Sequence, residues 1–110
     1  MINSKTCFLA LIGNPVEHSL SPAMHNEVIS FLGLDLVYLA IPCHEDDFQI
    51  VINALKKINC KGLNITIPFK EKAFNLCDEI SPVAKKVKAI NTLKINHNNE
   101  WSGTNTDVDG

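Results

Sequence analysis

Residues 6–15, TCFLALIGNP, decide the fold. A strand with one face in water alternates apolar and polar residues, whereas 6–12 is apolar almost throughout and is closed by Gly13-Asn14-Pro15. Such a run needs cover on both faces, which is the condition of a strand in a parallel sheet. Ser21 follows as a predicted N-cap and Pro22 as the first helical residue. Met24, Val28, Phe31 and Leu32, at i, i+4, i+7 and i+8, then form one apolar helix face that Gly33 closes. Residues 36–41, LVYLAI, read as a second buried strand ended by Pro42. Strand, helix and strand make a βαβ unit.

Working toward the C-terminus, Glu45, Asp46 and Asp47 open a helix whose apolar face is Phe48, Val51, Ile52, Leu55 and Ile58, with Lys56 and Lys57 near its end. The charges complement the helix dipole. Residues 62–67, GLNITI, form a third strand that Pro68 stops. Helical stretches follow at 69–76 and, after Ser81-Pro82, to about Val87. Residues 89–95 and 100–104 flank the polar connection 96–99 and suit a β-hairpin. The expected fold is α/β: a three-layer αβα domain with a mainly parallel sheet and a C-terminal β-hairpin, forming one unit over residues 1–110.

A chain of 110 residues is the size of one domain and buries roughly two-thirds of its unfolded surface, so with 45% hydrophobic residues it needs neither disulfide nor metal staple. Its net charge of −2 leaves no electrostatic footprint for nucleic acid or an anionic membrane, so neither partner is expected. All ten basic residues are lysine. Without the planar arginine fork, an anion site must use hydroxyls, amides, lysine or helix ends. Cys7, Cys43, Cys60 and Cys77 are scattered, with no C-x-x-C pair and no histidine placed to complete a zinc set, so no metal is expected. The apolar run Cys7–Gly13 is too short to span a membrane and has no cleavage site after it, which predicts a cytoplasmic chain with free thiols.

Local rules tend to break at functional sites, and three breaks stand out. Asn64 and Thr66 occupy the C-terminal half of a strand whose outward positions should be apolar, at the end where ligands bind such sheets; an edge strand facing water would explain them equally well. Lys70 lies in the first turn after Pro68, where the helix dipole disfavours a cation by roughly 0.3–1 kcal/mol. Glu71 compensates only in part. The third break is in the hairpin: a turn centred between His97 and Asn98 sets Asn91 opposite Thr104, with Asp107 just beyond. Asn and Asp can bind hydroxyls there, and they are also ordinary turn residues. Ser21 is accounted for as a cap, yet a cap hydroxyl keeps its own proton to donate, so Ser19 and Ser21 could also receive an anion at the positive helix end.

The segments GNPVEHSLSPAMHN (13–26), NITIPFKEKA (64–73), AINT (89–92) and GTNTD (103–107), in this order and spacing, resemble the substrate-binding domain of the NADP-dependent shikimate dehydrogenase family. The resemblance covers the whole chain. It implies that Ser19 and Ser21 hydrogen-bond the substrate carboxylate, that Asn64, Thr66, Asn91 and Asp107 hold its ring hydroxyls, and that Lys70 and Asp107 form the catalytic pair at the reacting C3 oxygen. The implied reaction is reversible reduction of 3-dehydroshikimate to shikimate by hydride from NADPH, in aromatic amino-acid biosynthesis. As the ketone is reduced, charge grows on its oxygen, and a lysine ammonium steadied by an adjacent aspartate can stabilise that charge and deliver a proton. A quinate/shikimate dehydrogenase domain and a non-catalytic small-acid binding module are the competing readings.

The sequence also departs from the family. No G-x-G-x-x-G is present, which implies that the NADP-binding domain lies outside this chain and that these residues alone neither bind NADP(H) nor turn over substrate. Exposure of the face toward that domain is expected to favour self-association. Val108 replaces a common glycine after N-T-D, and Lys88 replaces one before Ala89.

Overall fold

The structure is a computed structural model in which residues 2–107 are described; Val108 lies outside them. Strands β1 (Cys7–Gly13), β2 (Leu36–Pro42), β3 (Cys60–Ile65), β4 (Glu79–Ile80), β5 (Thr92–Ile95) and β6 (Trp101–Thr104) form one six-stranded sheet in the order β2-β1-β3-β5-β6-β4. The β1–β2, β1–β3 and β4–β6 pairs are parallel, while β3–β5 and β5–β6 are antiparallel. The helices are α1 (Ser21–Leu32), α2 (Phe48–Leu55), α3 (Lys70–Leu76) and α4 (Pro82–Val87), with a 3-10 turn at Glu45–Asp47 before α2. Two cores flank the sheet, as the long apolar run of β1 requires. Leu9 and Leu11 pack with Val16, Ile29 and Tyr38 beneath α1, while Ala10 and Ile12 join the larger core of Phe48, Ile52, Phe69 and Trp101.

Several sequence expectations are corrected. Met24, Val28, Phe31 and Leu32 do not face the sheet: Phe31 is 87% exposed and the others are more than half exposed. The helix docks through Ile29 and Asn26 instead, with Asn26 Nδ2 donating to the Tyr38 carbonyl and Oδ1 accepting from the Tyr38 N–H, both at 2.8 Å. The apolar period was real, but the buried stripe is its neighbour on the helix. β2 is the sheet edge rather than a buried strand, and Asn26 supplies Tyr38 with the backbone partners that no further strand provides. Ser21 is not the N-cap: Leu20 occupies that position, Ser21 is already helical, and Ser19 Oγ accepts from the Ser21 N–H at 3.1 Å. β3 ends at Ile65, so Thr66 and the exposed Ile67 lie beyond the strand, and Ile58 lies exposed beyond α2.

The hairpin register also shifts by one residue. Thr92, not Asn91, pairs with Thr104. Asn96 Oδ1 accepts from the N–H groups of both Asn98 and Glu100, and Asn99 takes a left-handed φ of 59°, so the loop spans an odd number of residues and its centre moves to Asn98. A one-residue slip turns each side chain to the opposite face. Lys88, at the position where glycine is common in the resembled family, closes α4 in the left-handed region with φ 59°.

Gly13 holds the site end of the sheet together. A Cβ there would collide with Thr66 Cγ2 and approach the Ile67 carbonyl to 3.0 Å. Only hydrogen at this position lets the end of β1 close against the segment after β3. Gly13→Ala is therefore expected to lower unfolding free energy by roughly 1–3 kcal/mol in urea denaturation.

Candidate active site

The sheet delivers polar residues to one end because β1 and β3 run parallel and β6 returns in the same direction. The connections after β1 (Ser19 and Ser21), after β3 (Thr66 and Lys70) and after β6 (Asp107) therefore open on one rim. Ser19, Ser21 and Thr66 line a cavity of about 330 Å³, floored by Leu11 and Val16. Ser19 Oγ already accepts one hydrogen bond, which leaves its proton to donate. The hydroxyls of Ser21 and Thr66 have no hydrogen-bond partner among the described residues, so three donors converge without a charge.

Lys70 and Asp107, 37 residues apart in sequence, meet with Nζ 2.9 Å from Oδ2. This contact accounts for a cation in the first turn of α3: the aspartate offsets the unfavourable end of the helix. The Lys70 hydrogen bond and its charge hold the Asp107 carboxyl below the usual carboxylate range, with a smaller contribution from Asn91.

The segment that carries Asp107 is fixed by amides. Asn91, 9% exposed, donates from Nδ2 to Thr106 Oγ1 at 2.9 Å and accepts at Oδ1 from the Thr106 N–H and from Thr92 Oγ1. Asn105 Oδ1 accepts from the Asp107 N–H at 2.9 Å, while its Nδ2 donates to the Ala89 carbonyl. Much of Asn91's capacity thus goes to placing Asp107. Sequence reasoning missed Thr106 and Asn105, although the N-x-D spacing is that of an Asx turn and was open to being read.

Asn64 stands apart from the serine cavity. It opens on a groove of about 230 Å³ with Thr92 and Lys94, and its Oδ1 accepts from the Tyr38 hydroxyl at 2.7 Å. Tyr38, also unforeseen, is the chain's single tyrosine, and a hydroxyl inside an apolar strand calls for a partner. A larger cavity of about 580 Å³ lies over the polar hairpin face between Ser81 and Lys94 and contains none of the predicted site residues. At the C-terminal end of the parallel strands, Lys70–Asp107 at 2.9 Å is the shortest acid–lysine contact among the described residues; Lys72–Glu45 stands at 4.0 Å.

No group of three or more histidine, cysteine, aspartate or glutamate side chains suited to a metal occurs among the described residues, and none of their helices is long and apolar enough to cross a membrane. All four cysteines are free thiols, and burial raises the pKa of Cys60 to about 11. Because its pKa is lowered, the Asp107 carboxylate is fully paired with Lys70 above the ordinary carboxylate range, and the pairing is lost as pH falls through the depressed value. In a carboxyl carbon NMR titration, Lys70→Ala should move the Asp107 midpoint upward; an unmoved midpoint would contradict the pair.

The family profile described as "Shikimate dehydrogenase substrate binding domain" matches residues 11–93. Shikimate dehydrogenase (NADP(+)) of Prochlorococcus marinus subsp. pastoris is 72% identical over all 110 residues, which make up 39% of that protein. The Nostoc sp. protein of the same name is 50% identical over the whole chain and 38% of its own length. Among solved structures, shikimate dehydrogenase from Aquifex aeolicus superposes with a TM-score of 0.91 at 39% identity, over 97% of this chain and 40% of that one. Shikimate 5-dehydrogenase from Listeria monocytogenes, in complex with shikimate and NAD, gives 0.88 at 36% identity, over 94% and 35%. This chain thus spans about two-fifths of the length of its relatives, and it belongs to the shikimate dehydrogenase substrate-binding domain family.

Proposed function

We propose that residues 1–110 are the substrate-binding domain of an NADP-dependent shikimate dehydrogenase, which reversibly reduces 3-dehydroshikimate to shikimate in the cytoplasm. The observation that carries this reading is the Lys70–Asp107 ion pair on the rim that also holds the hydroxyl-lined cavity of Ser19, Ser21 and Thr66. A small polyhydroxylated acid needs several oriented donors and acceptors: the rim offers hydroxyls for the carboxylate and one ammonium for the reacting oxygen, and Asn64, in its own groove, supplies an amide for a ring hydroxyl.

The described residues do not fit a dinucleotide. The β1–α1 connection carries Gly13 alone, and Thr66 already occupies the space beside it. NADPH is read as bound by the part of the protein beyond this chain, where it supplies the hydride. What Lys70 contributes is a positive charge and a proton at the C3 oxygen, with Asp107 holding the ammonium in place. Asn91 acts by orienting Asp107 and has little amide capacity left for a ring hydroxyl. The four free thiols accord with a reducing compartment.

Self-association is part of the same proposal. Leu20, Met24, Val28 and Leu32 are exposed along α1 with even spacing, so antiparallel pairing about Asn26 would set Leu20 against Leu32 and Met24 against Val28 of a second copy. Val28→Glu should shift sedimentation of the isolated chain toward the monomer; a wild-type chain that stays monomeric at high concentration would remove this part of the proposal.

In the full-length enzyme, Lys70→Ala is expected to lower kcat by roughly 100-fold or more with a much smaller change in KM, the signature of an interaction made in the transition state. A change confined to KM would take Lys70 out of the chemistry. Turnover of quinate at a kcat/KM comparable to that for shikimate would reassign the substrate.

A further inference from the structure

The phenol of Tyr38 approaches Asn64 from a fixed position. Tyr38 is only 2% exposed, its N–H and carbonyl are both held by Asn26 on the free edge of β2, and the His25 ring stacks on the Tyr38 ring at 4.3 Å and 11°. A buried phenol must place its single proton, and the acceptor here is Asn64 Oδ1 at 2.7 Å. Burial also pushes the Tyr38 pKa up, so the group remains a donor through neutral pH and above. Asn64 Nδ2, by contrast, has no protein partner among the described residues and is not a buried unpaired atom, so it faces open space.

An amide free to rotate presents either an oxygen or an N–H pair to a ligand. One whose oxygen is bound from behind presents donors only. We infer that Tyr38 is a positioning residue that locks the Asn64 carboxamide, so that Asn64 offers a ligand only N–H donors and reads an acceptor oxygen. The inference rests on the proposed substrate-binding role of Asn64 and adds the polarity of that contact: the ligand hydroxyl at this position accepts, and its own proton goes to another group. Tyr38 touches no substrate in this arrangement; its effect passes through Asn64.

The test is a double-mutant cycle in the full-length enzyme using Tyr38→Phe, Asn64→Ala and the combination, with shikimate as the probe. Tyr38→Phe keeps the ring and the His25 stack while removing the hydroxyl. It is expected to raise KM by about 3- to 10-fold, the range of one hydrogen bond, with kcat nearly unchanged. In the Asn64→Ala background the same change should have almost no effect on KM. An equal rise in both backgrounds would show that Tyr38 acts through general packing and would overturn the lock. Asn64→Asp, which keeps an acceptor for Tyr38 but presents oxygen to the ligand, should raise KM more than Tyr38→Phe; unchanged binding would overturn the donor-only assignment. The same four proteins unfolded in urea without ligand separate this inference from the functional reading on which it rests. Non-additive unfolding supports the Tyr38–Asn64 bond even where shikimate binding proves insensitive to Asn64, and strictly additive unfolding refutes it.

Discussion

The close approach of β1 and the segment following β3 is the constraint on which the site depends. Past the last paired residues, the Thr66 N–H donates to the Ile12 carbonyl and the Asn14 N–H to the Ile67 carbonyl, each at 3.0 Å, around a Gly13 that has no room for a side chain. The loop from β1 brings Ser19 and Ser21, and the segment from β3 brings Thr66 and Lys70. Two connections that emerge from adjacent parallel strands are thus stitched together before they diverge. The relative placement of the Ser19, Ser21 and Thr66 hydroxyls and the lysine follows from backbone hydrogen bonds rather than from flexible side chains, which keeps a polar site oriented without a ligand.

The second organising contact is electrostatic and long-range in sequence. Asp107 reaches Lys70 because Asn91, Thr106 and Asn105 fold the chain after β6 into a fixed bend. In a chain with no arginine, this arrangement puts one localised cation beside neutral donors. In the proposed function, such a site grips an anion modestly and leaves a single ammonium where charge can develop. The neighbouring face of β5 and β6 carries Thr92, Lys94, Ser102 and Thr104, which line a cavity with Ser81 and Pro82 at the start of α4, while Leu93 and Trp101 on the opposite face lie in the core.

Much of the architecture was legible from local rules. The apolar run of β1 and the helical stretch after Ser81-Pro82 correspond to elements that formed where expected, whereas α2 begins only at Phe48, after a 3-10 turn at Glu45–Asp47, and ends at Leu55, before Lys56 and Lys57, so the expected charges flank the helix rather than lie in its end turns. The misreadings share a cause: periodicity reports that a helix has an apolar stripe, not which neighbour covers it. On α1, Asn26 and Ile29 turned out to face the sheet while the stripe through Met24 and Val28 stayed outside. The hairpin failed differently, because the side chain of Asn96 bonded two backbone N–H groups and lengthened the loop by one residue.

Residue types alone carried the α/β class, the polar break at Asn64 and Thr66, the misplaced cation at Lys70 and the motif set that marks the family, since each is a matter of local spacing and chemistry. Which groups meet was beyond their reach. That Lys70 finds Asp107, that Asn91 spends its amide on Thr106 and that the phenol of an edge strand ends on Asn64 all follow from strand order and register. Those are settled only when the whole sheet assembles, because a hydrogen bond reaches about 3 Å and the chain must first close loops of tens of residues to bring its partners that near.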